Sequence, residues 1–288
     1  MGTDRVRRET YAVVALRRTT RTAGRHEAGA MTTTHPVEGT ATSAPLVLVT
    51  GSTRGIGLGT AAHLVRGGSR VVVHGRDRAR VDAARASADG GPGTIVGGVV
   101  ADLTQPDQVA ELAAEVVTRW GVPDGLVLSA GGSVVPPGPV EDLDPADWER
   151  ALRDNLTSAF LTLRAFLPAM KARGSGAVVA VSSSAARRPS AFSPVAYTAA
   201  KGGLEALVRC VAQQAGPYGV RANCVAPETI MTERNEQAIP QDVRERLVAQ
   251  HPIRRLGTVD DVAAAVAFLL SPAAGWTTGE AVGVTGGA

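Results

Sequence analysis

Tyr197 and Lys201 stand four residues apart, the spacing that brings two side chains onto one face of a helix. A phenol with an ordinary pKa of about 10 exchanges protons poorly at neutral pH. An ammonium beside it stabilises the phenolate and brings the pKa towards the working range. Tyr197 would then give a proton to a carbonyl oxygen, or take one from an alcohol. Composition adds weight to the pair. Lys201 and Lys171 are the two lysines in a chain with 30 basic residues. A merely solvated charge would here be arginine, whereas tuned proton chemistry uses the more perturbable amine.

A second constellation is Thr50-Gly51-Ser52-Thr53-Arg54-Gly55-Ile56-Gly57. It follows the apolar run Leu46–Thr50 and precedes a helix expected over Gly55–Gly67. Glycines there let the backbone turn tightly and approach a pyrophosphate, and the helix N-terminus offers free N–H groups at the positive end of its dipole. No Gly-Lys-Ser/Thr follows, which excludes a P-loop nucleotide site.

The elements that must position these residues alternate along the chain. Strands are expected at Leu46–Thr50, Arg70–His74, Thr94–Ala101, Leu126–Ser129, Ala177–Ser182, Arg221–Val225 and Ala281–Val284. Helices are expected at Gly55–Gly67, Arg78–Ala88, Gln105–Trp120, Asp147–Arg173, Val195–Ala215 and Val259–Leu270, the last capped by Thr258 with Asp261 as its capping-box partner. Seven strands alternating with helices imply an α/β fold: a single Rossmann-type, doubly wound parallel sheet with helices on both faces. The composition suits such a sheet, with 44% hydrophobic residues and only 3% aromatic ones.

Charge and cysteine usage narrow the function classes. Residues 1–30 carry seven Arg against Asp4, Glu9 and Glu27, a surplus of +4, while the whole chain is +3. The rest therefore carries −1, and no basic groove for nucleic acid is implied. No stretch approaches a membrane span. Cys210 and Cys224 lack zinc spacing to a His and are expected to be buried thiols in a reducing, cytoplasmic setting, with no metal site. Residues 1–45, rich in Arg, Thr and Ala without lasting periodicity, are expected to be a disordered N-terminal extension preceding a dinucleotide-binding domain over residues 46–288. A leader ahead of a start at Met31, or a transit peptide cut before Leu46, are the two sources considered for it.

The Thr-Gly-x-x-x-Gly-Ile-Gly spacing, with Tyr-x-x-x-Lys on a later helix, resembles the short-chain dehydrogenase/reductase family, and within it the 3-oxoacyl-carrier-protein reductase-like group. The resemblance runs over about residues 46–287. It implies hydride transfer between a nicotinamide cofactor and a ketone or secondary alcohol. Gly51, Ser52, Thr53, Arg54, Gly55, Ile56 and Gly57 would bind the cofactor's phosphates, and Asp102, Ala130 and Gly131 its adenosine side. Val73-His74-Gly75-Arg76 has no acid at the strand end for the ribose hydroxyls. Arg54 and Arg76 at these places go, in the family, with NADP(H).

On the catalytic side the resemblance implies that Tyr197 is the acid/base and that Lys201 also binds the nicotinamide ribose. Asn155 would hold a water of a proton relay, and Ser183 would hydrogen-bond the substrate oxygen. Ser184, thirteen residues before Tyr197, remains the alternative to Ser183. Pro227, Ile230 and Thr232 would meet the nicotinamide and a phosphate. Three positions depart from the family pattern: Ser129 for Asn, Glu228 for Gly and Thr285 for Asp. Glu228 would either orient a basic substrate or point outwards. A polar substrate lid is expected between Thr232 and Pro252, and a homotetramer or homodimer through the long fourth and fifth helices. A specialised-metabolite ketoreductase fits as well as a carrier-protein reductase. An imine reductase or dehydratase, or a non-catalytic NADP(H) sensor, are the alternatives.

Overall fold

Leu46, Val47, Leu48, Val49 and Thr50 are all buried, and this run (β1, Leu46–Thr50) is central in the sheet of the computed structural model, which describes residues 44–87, 91–133 and 135–288. Both its faces meet apolar side chains. Leu48, Val72, Leu126 and Val178 belong to the cluster on one face, and Val47, Val49, Val71, Val73 and Val127 to that on the other. A continuous Val/Leu run is what a parallel strand covered on both sides demands.

The other strands are β2 (Arg70–Gly75), β3 (Thr94–Val100), β4 (Gly125–Leu128), β5 (Gly176–Val181), β6 (Val220–Pro227), β7 (Ile230–Met231), β8 (Gly257–Thr258) and β9 (Ala281–Val284). The main sheet is all parallel, in the order β3-β2-β1-β4-β5-β6-β9, as the alternation implied. The two-residue β7 and β8 pair separately, and are too short to read as strands in the sequence. The strand order reverses between β1 and β4. Such a sheet opens a crevice at the carboxyl ends of these two strands.

The helices are α1 (Gly55–Arg66), α2 (Arg78–Ala86), α3 (Pro106–Trp120), α4 (Pro145–Leu152), α5 (Ser158–Arg173), α6 (Val195–Ala215), α7 (Glu233–Ala238), α8 (Gln241–Gln250) and α9 (Val259–Leu270). Thr258 and Asp261 form the expected capping box on α9. The single helix expected over 147–173 begins earlier, at Pro145 behind the Asp144 cap, and carries a π-helical turn at Arg153–Thr157 between α4 and α5. The expected lid is α7 and α8. Cys224 is buried, but Cys210 is exposed on the outer face of α6, against expectation. Of the expected extension over residues 1–45, residues 1–43 lie outside the described residues.

Thr50 ties the two strands at the crevice. Its hydroxyl donates to Val127 O (3.1 Å) and accepts from the N–H groups of Ser129 (3.1 Å) and Ala130 (3.3 Å). Replacing it by Val keeps the shape and leaves buried backbone groups unpaired, so Thr50→Val should lower stability by about 1–3 kcal/mol. Urea denaturation measures this; an unchanged midpoint would show that the tie is idle.

Candidate active site

The glycine-rich turn leaves β1 at the crevice and enters α1. Arg54, at the N-cap, is extended and gives no side-chain cap, and the first turn of α1 has no acidic residue. The N–H groups of that turn are thus left for an external acceptor. Gly51, Thr53, Arg54, Gly55, Ile56 and Gly57 line a cavity of about 780 Å³. Gly57 is required by close approach: a Cβ there would lie 2.3 Å from Gly51 O.

Ser52, expected in the phosphate-binding set, has its side chain turned into the protein. It is fully buried, its hydroxyl donates to Val49 O (2.7 Å) and accepts from His74 N–H (2.9 Å), and its own N–H donates to His74 O (2.9 Å). It fastens the turn to β2 and faces no cavity. His74 completes the clamp: Nδ1 accepts from Gly51 N–H (3.0 Å) and Nε2 contacts Ala101 O (3.1 Å). Burial lowers the imidazole from 6.5 to about 4, with Ala101 opposing. The ring is therefore neutral, with its proton on Nε2.

Beyond β2, an adjoining cavity of about 310 Å³ is lined by Arg54, Arg76, Arg80, Asp102, Ala130 and Gly131 among others, and shares Gly51, Thr53, Arg54 and Arg80 with the larger one. Asp77, the nearest acid to the end of β2, caps α2 by accepting from Arg80 N–H (2.9 Å). Asp102 spends Oδ1 on the N–H and hydroxyl of Thr104 (3.0 and 2.9 Å). Arg80, one turn into α2, is missing from the sequence reading. A third arginine within five residues of Arg76 was the available signal.

The same large cavity is lined by Ser183, Tyr197, Lys201, Pro227, Ile230 and Thr232, the last of these next to Gly55. Lys201 is buried; its ammonium donates to Val181 O (2.8 Å) and lies 5.5 Å from the Tyr197 ring centroid. Burial lowers its pKa to about 8, with Cys224 opposing. Burial raises the Tyr197 phenol above its ordinary value, and hydrogen bonding to Ser183 draws it part of the way back. Desolvation thus outweighs the hydrogen bond with Ser183, and the Lys201 ammonium sits over the ring with a carbonyl as its partner. Ser183 lines the cavity, whereas Ser184 opens the short 3₁₀ turn Ser184–Ala186.

Asn155, expected in the relay, is also set back from the cavities. It lies in the π-helical turn, buried, and lines neither cavity. Its Oδ1 accepts from Gly132 N–H (2.8 Å), and its Nδ2 donates to Gly132 O (3.1 Å) and Ala151 O (3.0 Å). The side chain is spent on backbone, and it holds the loop after β4. Gly131 (φ +131°) is fitted to it: a Cβ there would stand 2.4 Å from Asn155 Oδ1. π-turns inside helices recur at functional sites.

Relatives match most of the chain. The family described as enoyl-(acyl carrier protein) reductase matches residues 51–288. An acetoacetyl-CoA reductase of Synechocystis is 36% identical over 242 residues, covering 84% of this chain and 95% of that protein. An L-rhamnose 1-dehydrogenase (NAD(P)(+)) of Azotobacter vinelandii is 37% identical over 249 residues, with the same two shares. The chain belongs to the short-chain dehydrogenase/reductase family. Among solved structures, a 7α-hydroxysteroid dehydrogenase complexed with NADH and 7-oxo glycochenodeoxycholic acid superposes with a TM-score of 0.77 at 30% identity, covering 84% of this chain and 93% of that one.

As a short-chain dehydrogenase/reductase the chain is an oxidoreductase of alcohols and carbonyls that uses a nicotinamide cofactor. The site fits such a dinucleotide on its own features: uncapped N–H groups at α1, the side-chain-free approach at Gly57, and a cavity running from there to Tyr197.

The His74 clamp makes a prediction. Its folded pKa of about 4 lies below the ordinary 6.5. Between these values the unfolded chain takes up a proton that the folded chain refuses. Stability from this residue is full above about pH 6.5 and falls as pH drops towards 4, by roughly 3 kcal/mol at most. Urea denaturation at pH 7 and 4.5 should show the loss, and His74→Asn should show less of it. An equal loss in the variant would remove His74 as its source.

Proposed function

We propose that this short-chain dehydrogenase/reductase interconverts a ketone and a secondary alcohol with NADP(H), with Tyr197 as the acid/base. The observation that carries the reading is one cavity lined by the α1 N-terminus, Arg54, Ser183, Tyr197 and Lys201. When bound, the nicotinamide supplies or accepts the hydride. Ser183 hydrogen-bonds the substrate oxygen and polarises it. Tyr197, whose phenol is held protonated by burial, gives that oxygen its proton in the reductive direction. Lys201, fixed by Val181 O, holds the nicotinamide ribose and balances charge on the phenol as the proton leaves. Asn155 acts as a positioning residue through Gly132.

The choice of NADP(H) rests on the guanidinium groups of Arg54, Arg76 and Arg80 around the smaller cavity, and on Asp77 being taken up as the α2 cap. A 2′-phosphate pairs with such groups; a ribose hydroxyl pair would call for a free carboxylate. The polar lid, with Glu233, Arg234 and Gln237 facing the large cavity, favours a small or polar carbonyl substrate of the 3-oxoacyl or specialised-metabolite type. Exposed Phe160 on α5, and Phe268 and Trp276 near the C-terminus, support association into a homodimer or homotetramer.

Tyr197→Phe should abolish nearly all carbonyl reduction, by about 10²-fold or more, while NADPH binding followed by fluorescence stays within about threefold. Full turnover in the variant would refute Tyr197 as the acid.

A further inference from the structure

Glu228, the residue that departs from the family pattern after Pro227, lines the large cavity and pairs with a histidine of the distant segment that ends α8. Its Oε2 meets Nε2 of His251 at 2.9 Å and also accepts from the N–H of Thr229. His251 is buried and ends α8; its Nδ1 lies 2.7 Å from Leu247 O, an atom that only accepts. Nδ1 therefore carries a hydrogen, and the contact between Nε2 and the carboxylate is attractive only with a second proton between them. The two residues are 23 apart in the chain, one on the cavity floor and one at the end of the lid. The other charged groups beside them are occupied: Arg255 and Asp261 pair with each other at 2.6 and 2.8 Å.

The backbone around the pair is built to the same end. Glu228 N–H donates to Val284 O (3.2 Å), and Ile253 N–H donates to Gly286 O (3.0 Å), so the chain end closes over His251. Gly286 has φ +62°, and a Cβ there would lie 3.3 Å from His251 Cδ2. Glu228 and Ile230 line both the large cavity and a second one of about 340 Å³ that His251 also lines. The lid's opposite margin is held differently, by an exposed contact in which Arg234 donates to Ser133 O (2.9 Å) across the crevice. One end of the lid is thus anchored by a part-buried pair built on the buried His251, and the other by a solvated contact that opens cheaply.

We propose that Glu228 and His251 are positioning residues that form the fixed hinge of the α7–α8 lid, holding α8 to the cavity floor so that the lid closes from its Arg234 edge over the bound dinucleotide. The closing half of this statement rests on the NADP(H) reading above; the anchoring half does not.

Amide hydrogen exchange of the full chain without cofactor tests the anchor directly. In Glu228→Ala the amides of α8 should exchange about tenfold faster or more, while those of β1 and β5 keep their rates. Glu228→Gln, whose amide can donate to a neutral Nε2, should restore slow exchange. If Glu228→Ala does not fold, His251→Phe fills the site without the hydrogen bonds and should give the same α8 response. Unchanged α8 exchange in the folded variant, or equal loss in Glu228→Ala and Glu228→Gln, would overturn the hinge. NADPH titration of the same proteins separates the two halves. A roughly tenfold weaker Kd and KM in Glu228→Ala, with kcat reduced much less, supports closure over the dinucleotide. Wild-type protein that ignores NADPH would refute the cofactor reading while the exchange result still decides the anchor.

Discussion

The turn between β1 and α1 is held by hydrogen bonds to a single buried neutral histidine, and the rest of the site takes its position from that clamp. His74 engages Gly51 through its ring, and its backbone exchanges two hydrogen bonds with Ser52. With residues 51 and 52 fixed to β2, the N-terminus of α1 can aim only into the crevice. Thr50, one residue earlier, fixes the same turn to the loop after β4. Both walls of the crevice are thus set by residues 50–52, all but one of which are fully withdrawn from solvent.

The wall that carries Ser183 and Tyr197 is also built on buried polar groups. Lys201 and Glu205 are both buried on α6, four residues apart and in line with Tyr197. Lys201 holds Val181 O at the end of β5, and Glu205 accepts from the Ser182 hydroxyl (3.0 Å) at the next residue. Arg187 and Arg209 approach the Glu205 carboxylate at 3.5 and 3.8 Å, so its charge is compensated. The strand end that presents Ser183 is therefore gripped from α6 at two successive residues. The same helix carries the phenol, so the hydroxyl and phenol keep their mutual geometry.

The order of strands and helices was legible because apolar runs, glycine turns and caps are local signals. So was the glycine-rich turn, since its neighbours are a buried strand and a helix start. The inward turn of the Ser52 side chain was not legible because the motif shows which residues form the turn but not which way a side chain points. The bond of Asn155 to Gly132 was not legible because one extra residue in a π-turn leaves the helical pattern on either side intact, and Gly132 lies 23 residues away. The role of His74 and the pairing of Glu228 with His251 depend on contacts between distant segments, which no periodicity reports. Cys210 was expected to be buried on residue type alone, but the position on α6 faces outwards.

The central claim is that the crevice binds a nicotinamide dinucleotide bearing a 2′-phosphate. Fluorescence titration with NADPH and NADH, on the wild type and on an Arg54→Ala/Arg76→Ala double variant, tests it most directly. The account predicts tighter binding of NADPH by the wild type, by about tenfold or more, and loss of that preference in the double variant with NADH affinity little changed. Tighter binding of NADH by the wild type, or a preference for NADPH that survives removal of both arginines, would contradict it.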